Sequence, residues 1–307
     1  MMRAAFILLA LLIVAPTPAA AAKLKVVSSF SLLADMCRVI GGDRIELTNL
    51  VPPGTDAHGY QPRPADARAV AQADIVVMNG LGFEGWIERL LRAGSFPGVL
   101  VVASEGVRLL EHDGDAGHHG HEHGEARTED ATTTDPHAWQ DLRNGHIYAR
   151  NIALAFARAD EPNAAYYLQR LETFLSRIDA LDSRFRREFA EIPPDARRIV
   201  TSHDAFGYLA RAYGLEFLAP VGLSSSARPS AAQVAALIRQ LRAQRAAALF
   251  VESLSDPRLI ERIQAETGTH IGGTLYADSL TGADGEAASY LAMMTHNLEA
   301  LARALRR

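Results

Sequence analysis

Short apolar runs alternate with amphipathic stretches along most of this chain, the rhythm of strands followed by helices. Leu24 to Val27 is apolar and precedes a helical pattern from Leu32 to Ile40; Ile45 to Val51 reads as a strand and Arg63 to Ala71 as a helix. Ile75 to Met78, a helix around Trp86 to Leu91 and Val99 to Val102 continue the alternation. Beyond Pro194 the rhythm resumes, with strands at Arg198 to Thr201, Glu216 to Pro220, Ala247 to Val251 and His270 to Leu275. Helices at Asp204 to Tyr213, Ala231 to Arg242, Asp256 to Glu266 and Glu286 to Leu305 lie between and after them. This order predicts an α/β fold of two similar lobes, 23–160 and 193–307, each a mostly parallel sheet with flanking helices.

Between the lobes, apolar residues fall at Tyr167, Leu168, Leu171, Phe174, Leu175, Ile178, Leu181, Phe185 and Phe189, with Arg and Glu on the other face. Pro162 suits a helix start, and Pro193 with Pro194 stops it. From Asn163 to Ala190, at ~1.5 Å rise per residue, this is a rod of roughly 40 Å. Residues 161–192 are therefore read as one long rigid helix joining the lobes; the alternative is one more amphipathic helix on a single lobe.

Residues 111–134 break the pattern. His112, His118, His119, His121 and His123 stand there among Gly, Asp, Glu and Thr with almost nothing apolar to bury, which predicts a disordered loop. Histidine-rich tracts bind metals weakly and exchangeably, so metal capture or hand-over is set against an inert acidic loop.

Residues 1–22 have the layout of a secretory leader: Arg3, an apolar run from Ala4 to Ala15, then small residues ending in Ala20, Ala21 and Ala22. The apolar run is shorter than the ~20 residues a spanning helix needs, so a cleaved leader and a soluble periplasmic protein are expected. Cys37 is the single cysteine, which leaves no intramolecular disulfide. It stands too far beyond the leader for lipid attachment, so no lipid anchor is expected, and Leu32, Leu33, Met36 and Val39 around it predict a buried small hydrophobe. The formal net charge of −5, one unit more negative once Arg3 is lost, argues against nucleic acid or an anionic membrane as partner. The roughly 285 residues that remain exceed what one core usually fills.

The chemistry lies in three histidines set beside turn-forming residues and one late acid: His58 in VPPGTDAHGY, His137 in TTTDPHAW, His203 in VTSHDAFGY and Asp278 in GGTLYADSL. Three imidazole nitrogens and a carboxylate oxygen suit a four-coordinate Zn²⁺. His58, His203 and Asp278 each follow a predicted strand, and α/β sheets bind ligands outside the carboxyl ends of their strands. His137 is held by Pro136, with Trp139 as a wall. Singly, each histidine is also explained as a polar loop residue, His203 by a helix cap beside Asp204 and Asp278 by a turn before Thr281 and Gly282. The case is joint. Asp141 and Asp204 are the nearest candidates to orient the ligands, while His146, His270 and His296 read as structural.

A secreted zinc hydrolase is the rival from another class. Catalytic zinc keeps an open position and a nearby base, as in HExxH. No HExxH occurs and a fourth protein ligand fills the shell, so no enzyme is expected; Glu252, the candidate base, is equally explained by loop packing or by hydrogen bonding to a ligand.

VPPGTDAHGYQPRPAD, DPHAW, TSHDAFGYLARAYGL, FVESLSDP and GGTLYADSL followed by YLAMMTHNLEAL resemble, in this order and over nearly the whole mature chain, the metal-binding solute receptors of bacterial ABC transporters for zinc and manganese. The resemblance implies two α/β lobes joined by one long helix, a metal held between them by His58, His137, His203 and Asp278, and delivery to a membrane permease. Manganese-type members carry glutamate at the third ligand position; His203 and the histidine-rich tract favour zinc over Mn²⁺. A stand-alone periplasmic zinc chaperone or buffer remains the alternative role, and a monomer is expected, with a periplasmic zinc chaperone as a possible further partner. Ala57 stands where proline is usual and Gly59 follows the histidine, which loosens that loop. Because the long helix limits hinge motion, release is expected to use loop rearrangement and slight lobe tilting.

Overall fold

The computed structural model of the protein describes residues 22–112, 133–224, 229–243 and 246–306. Most of the predicted leader, and His118, His119, His121 and His123 of the tract, lie outside the described residues.

The first half begins with β1 (Leu24–Phe30), α1 (Ser31–Gly41) and β2 (Ile45–Val51), continues with α2 (Pro64–Ala71) and β3 (Ile75–Met78), and adds α3 (Ile87–Ala93) and β4 (Val99–Val102). Its four strands pair in parallel in the order β2-β1-β3-β4. Ile75, Val76 and Val77 at its centre are fully buried, as a parallel sheet covered on both faces requires. A two-residue ladder, β5 (Glu111–His112) against β6 (Thr133–Thr134), draws together the ends of the histidine-rich tract.

Two helices follow, α4 (Leu142–Ala159) and α5 (Ala164–Ala190). α4 is not among the helices that the sequence pattern predicts. Its buried face, Leu142, Gly145, Tyr148, Ala149, Ile152, Ala153 and Phe156, keeps helical spacing, but small residues occupy so many of these positions that the hydrophobic signal is faint. α5 is the long helix expected, with Tyr167, Leu171, Phe174, Leu175, Ile178, Phe185 and Phe189 buried. Leu168, assigned to the same stripe, is instead 38% exposed, while Asp182 is buried, receiving Tyr213 OH at 3.0 Å and Arg186 Nε at 2.8 Å. The start of α5 is tied to the first half, with Arg170 Nε donating to Val39 O at 2.7 Å.

The second half contains β7 (Arg198–Val200), α6 (Gly207–Tyr213), β8 (Glu216–Leu218), α7 (Ala231–Ala243), β9 (Ala248–Glu252), α8 (Arg258–Thr267), β10 (Ile271–Leu275) and α9 (Tyr290–Leu305). Its strands also pair in parallel, in the order β10-β9-β7-β8. The end of α5 binds this half, Arg186 Nη1 donating to Ala212 O at 2.6 Å and Arg184 Nη2 to Glu299 Oε1 at 2.9 Å. Two helices start three or more residues later than expected. α6 begins at Gly207 because residues 202–204 are drawn into a loop, and α9 begins at Tyr290, where Ser289 Oγ accepts the Ala292 N–H at 3.2 Å. One apolar core runs through both halves, from Val26 and Phe30 to Phe206, Phe250 and Met294; a smaller one, around Val234, Leu249 and Ile260, sits under α7 and α8.

Candidate metal centre

The carboxyl ends of both sheets face one another, and the loops leaving them carry the four residues singled out in the sequence. His58 follows β2, His203 follows β7, Asp278 follows β10, and His137 lies in the segment entering α4. One ligand atom from each of the four lies within 4.8 Å of every other. His58 Nε2 is 3.3 Å from His137 Nε2 and 3.7 Å from Asp278 Oδ2; Asp278 Oδ1 is 3.5 Å from His137 Nε2, and its Oδ2 is 3.3 Å from His203 Nε2. His137, His203 and Asp278 are buried, and the edge of His58 alone reaches solvent. Buried polar atoms normally find hydrogen-bond partners. Here His203 Nε2 and Asp278 Oδ1 have none of good geometry and point into the cluster.

Two of the loops use the same device. Asp56 Oδ1 accepts the His58 N–H at 2.8 Å, and Asp135 Oδ1 accepts the His137 N–H at 2.9 Å, so each D-x-H triplet closes a turn on its own aspartate. Trp86 Nε1 donates to Ala57 O at 2.8 Å, tying down the His58 loop where the proline is missing. Asn79 Nδ2 donates to Pro136 O at 2.9 Å, and Ser29 Oγ and the Asn79 N–H donate to buried Glu84, whose pKa burial raises. Phe83, in the adjoining turn, sets its ring 4.4 Å from that of His58 and 4.8 Å from that of Trp139. The apolar wall is therefore Phe83 as well as the expected Trp139.

The nitrogens pointing away from the cluster identify the orienting groups, and they correct the sequence reading. Asp135 Oδ1 lies 2.7 Å from His137 Nδ1, and Glu252 Oε2 contacts His203 Nδ1. Asp141 instead caps α4 by accepting the Arg143 N–H at 2.9 Å. Carboxylates on the outer nitrogen fix the tautomer that leaves the inner nitrogen free to ligate. The D-x-H spacing was a readable signal for Asp135; for Glu252 hydrogen bonding to a ligand was one of the sequence readings, and the pairing of β7 with β9 brings it to His203.

Electrostatics follow from the crowding. Burial disfavours the charge on His203, but Glu252 and Asp278 outweigh it and hold the ring's pKa well above the ordinary imidazole value. Burial alone would raise Asp278, and His203 and His137 reverse that, holding its carboxyl far below the usual range. His58 is lowered, mainly by burial, only partly offset by Asp278. The remaining histidines stand apart: His146 Nε2 pairs with Asp179 Oδ1 at 2.9 Å, His296 Nε2 faces Thr274 O at 3.0 Å, and His270 O accepts the Leu249 N–H at 2.9 Å. Of the tract histidines, only the backbone of His112 is described, in its ladder with Thr133.

A family model described as zinc-uptake complex component A, periplasmic, matches residues 26–304. The chain belongs to this zinc-uptake component A family. It is similar to FimA of Streptococcus parasanguinis, named a metal ABC transporter substrate-binding lipoprotein, with 33% identity over 93% of this chain and 90% of that protein. PsaA of Streptococcus pneumoniae, named a manganese ABC transporter substrate-binding lipoprotein, is 33% identical over 92% of this chain and 89% of that one. Among solved structures, the periplasmic zinc binding protein TroA from Treponema pallidum superposes with TM-score 0.82 at 26% identity, covering 93% of this chain and 100% of that one. A Mn-bound periplasmic metal binding protein from Candidatus Liberibacter asiaticus gives 0.78 at 28%, covering 92% and 100%. The family and the two-lobed fold implied by the sequence resemblance are thus borne out. The expectation of no lipid anchor is not carried forward, since these streptococcal relatives are named lipoproteins; Cys37 itself is buried in α1.

Proposed function

We propose that this protein captures a divalent metal ion outside the cytoplasm and delivers it to the membrane permease of an ABC importer, and that its cargo is zinc, held by His58, His137, His203 and Asp278. The observation that carries the reading is the convergence of four mostly buried donor atoms within 4.8 Å. A tetrahedral zinc shell with bonds of about 2.0–2.1 Å sets its donors roughly 3.3 Å apart, and the four separations of 3.3–3.7 Å are close to that. Three imidazoles and one carboxylate favour zinc, and Zn²⁺ outranks Mn²⁺ at most sites of this type.

A manganese-binding receptor of the same family is the second reading, supported by the names of the streptococcal PsaA relatives and of the Mn-bound Liberibacter structure. His203, where manganese-type members carry glutamate, weighs against it. The closed shell of four protein ligands leaves no position for a catalytic water, which supports a carrier over an enzyme. A leader over residues 1–22, lobes over 23–160 and 193–307 joined by 161–192, a monomeric state, and acquisition of zinc through the tract carrying His112, His118, His119, His121 and His123 belong to the same proposal. A periplasmic donor chaperone fits the tract as partner, and a stand-alone zinc buffer uses the same cage without a permease. Chelator-competition titration with Zn²⁺ and Mn²⁺ tests the reading. One tight zinc per chain, sharply weakened in His58→Ala and His203→Ala with native folding, is expected; unchanged affinity in both variants refutes the cage, and tighter Mn²⁺ than Zn²⁺ refutes the cargo.

A further inference from the structure

Asp278 follows β10 of the second sheet, where Asn297 of α9 accepts the Tyr276 N–H at 2.9 Å and donates to Tyr276 O at 2.7 Å, yet the chain from Ala277 onward is bonded to the first half and to the segment that carries His137. Trp139 Nε1 and Gln140 Nε2 both donate to Ala277 O at 3.0 Å. The Gly54 N–H, from the His58 loop, points at Ser279 Oγ at 2.8 Å and Leu280 O at 3.0 Å. The Leu280 N–H donates to Ser31 Oγ at 3.0 Å, and that hydroxyl lies 3.4 Å from Ser279 Oγ. Further along, the Tyr290 N–H donates to Asp35 Oδ2 and its hydroxyl to Trp139 O, both at 2.8 Å.

His203 is held in a different way. Its own N–H and that of Ser202 donate to Glu252 Oε1 at 2.8 and 2.6 Å, its ring contacts Glu252 Oε2, and the Asp204 N–H goes to Val221 and Gly222. Each of these partners belongs to the second half. Among the described residues, the first half hydrogen-bonds to this region farther along the chain, where the Leu110 N–H donates to Tyr208 OH at 3.0 Å and Arg211 Nη2 to Arg108 O at 3.3 Å.

We propose that the cage divides three to one: His58, His137 and Asp278 form one unit fixed to the first half, with Ser31 as the positioning residue of Asp278, and His203 with Glu252 forms the part that separates when the metal leaves. The proposal rests on the metal reading above. Ser31 is suited to the role by its place as well as its bonds. It is 3% exposed at the first position of α1, so the helix fixes its hydroxyl, and it grips the chain two residues past the ligand. Without that hydroxyl the buried Leu280 N–H loses its acceptor and the turn carrying Asp278 loses a hold on the first half.

A double-mutant cycle separates positioning from a general structural effect. Zinc affinity is measured by chelator competition for Ser31→Ala alone and in the Asp278→Ala and His203→Ala backgrounds. Groups that orient a metal ligand are each worth about 10- to 100-fold in affinity, and about tenfold is expected for Ser31→Ala both alone and with His203→Ala. In the Asp278→Ala background the same change should cost no more than about twofold, the ordinary scatter of independent sites. Asp35→Asn, which loosens the far end of the same segment and spares the hydroxyl, should follow the same pattern and serves if Ser31→Ala does not fold. An equal loss with and without Asp278 overturns the proposal while leaving the metal site standing. An unchanged affinity in Asp278→Ala itself overturns the metal assignment, and this proposal with it.

Discussion

Glu252→Gln isolates the outer of the two carboxylates that set the protonation of His203. Glu252 is 2% exposed, and its Oε1 accepts two backbone N–H groups, from Ser202 at 2.6 Å and His203 at 2.8 Å. Those two donors lock the orientation of a replacing amide: its oxygen must face them, so its NH₂ must face His203 Nδ1. The ring then accepts at Nδ1 and carries its proton on Nε2, the nitrogen aimed at the cage. Turning the ring to the ligating tautomer sets N–H against N–H in a buried site, and loss of such an orienting partner costs about 10- to 100-fold in affinity, or ~1.4–2.7 kcal/mol. A second signature has its own sign. Glu252 and Asp278 raise the His203 pKa, so zinc binding displaces more protons from this ring than from an ordinary imidazole. Without the Glu252 charge that pKa falls, and fewer protons leave per zinc bound even as binding weakens. Competition titration gives the affinity, and calorimetry in buffers of differing ionisation enthalpy gives the protons. Wild-type affinity with wild-type proton release refutes the assigned role.

Asp135→Asn makes the corresponding change at His137 Nδ1 and should weaken zinc within the same 10- to 100-fold range, read by the same titration. Above about 6.5, where the lowered His58 no longer adds an opposite trend, the metal-free protein should lose stability as pH rises through His203. Because the folded pKa of His203 is raised, its contribution is full below about 6.5 and disappears as pH climbs through the folded value, whereas the depressed Asp278 contributes above about 3.9 and fails only as pH falls through its own. Thermal unfolding in chelator from mildly acidic to alkaline pH checks this, and a melting temperature that rises steadily with pH contradicts it. Zinc affinity should fall with pH, because protons compete for the same nitrogens. Deleting residues 113–132, with β5 and β6 kept, should preserve one tight zinc per chain and slow its acquisition from a donor; identical transfer kinetics would make the tract inert.

The strands and most helices were legible because alternation of apolar runs with amphipathic stretches is a strong local signal, and bulky residues at helical spacing announced α5, though not whether it joins the lobes or belongs to one. α4 escaped because Gly145, Ala149 and Ala153 bury a helix face without the bulk that makes a face conspicuous. At Gly145 the reason is close approach: a Cβ there would lie 2.6 Å from the hydroxyl of Tyr290. All four clustered residues were readable from turn chemistry after strands and from the family resemblance. The groups around them divide by distance along the chain. Asp56 and Asp135 stand two residues before their histidines, and the repeated D-x-H could have been noticed. Glu252, Phe83 and Ser31 act across the fold: Glu252 was readable as hydrogen-bonded to a ligand but not to which one, while Phe83 and Ser31 carried no sequence signal, and strand pairing and the packing of the two halves bring all three to the site. Asp141 looked like a partner of His137 because it is near in sequence; its carboxylate was already engaged as a helix cap.

X-ray absorption at the zinc edge of protein loaded with one equivalent of Zn²⁺ tests the cage most directly. Four light-atom donors at about 2.0–2.1 Å are expected, with the outer-ring scattering of three imidazoles. That imidazole signal should fall to two in His203→Ala. A shell of five or six oxygens, or fewer than three imidazoles in the wild-type protein, would contradict it.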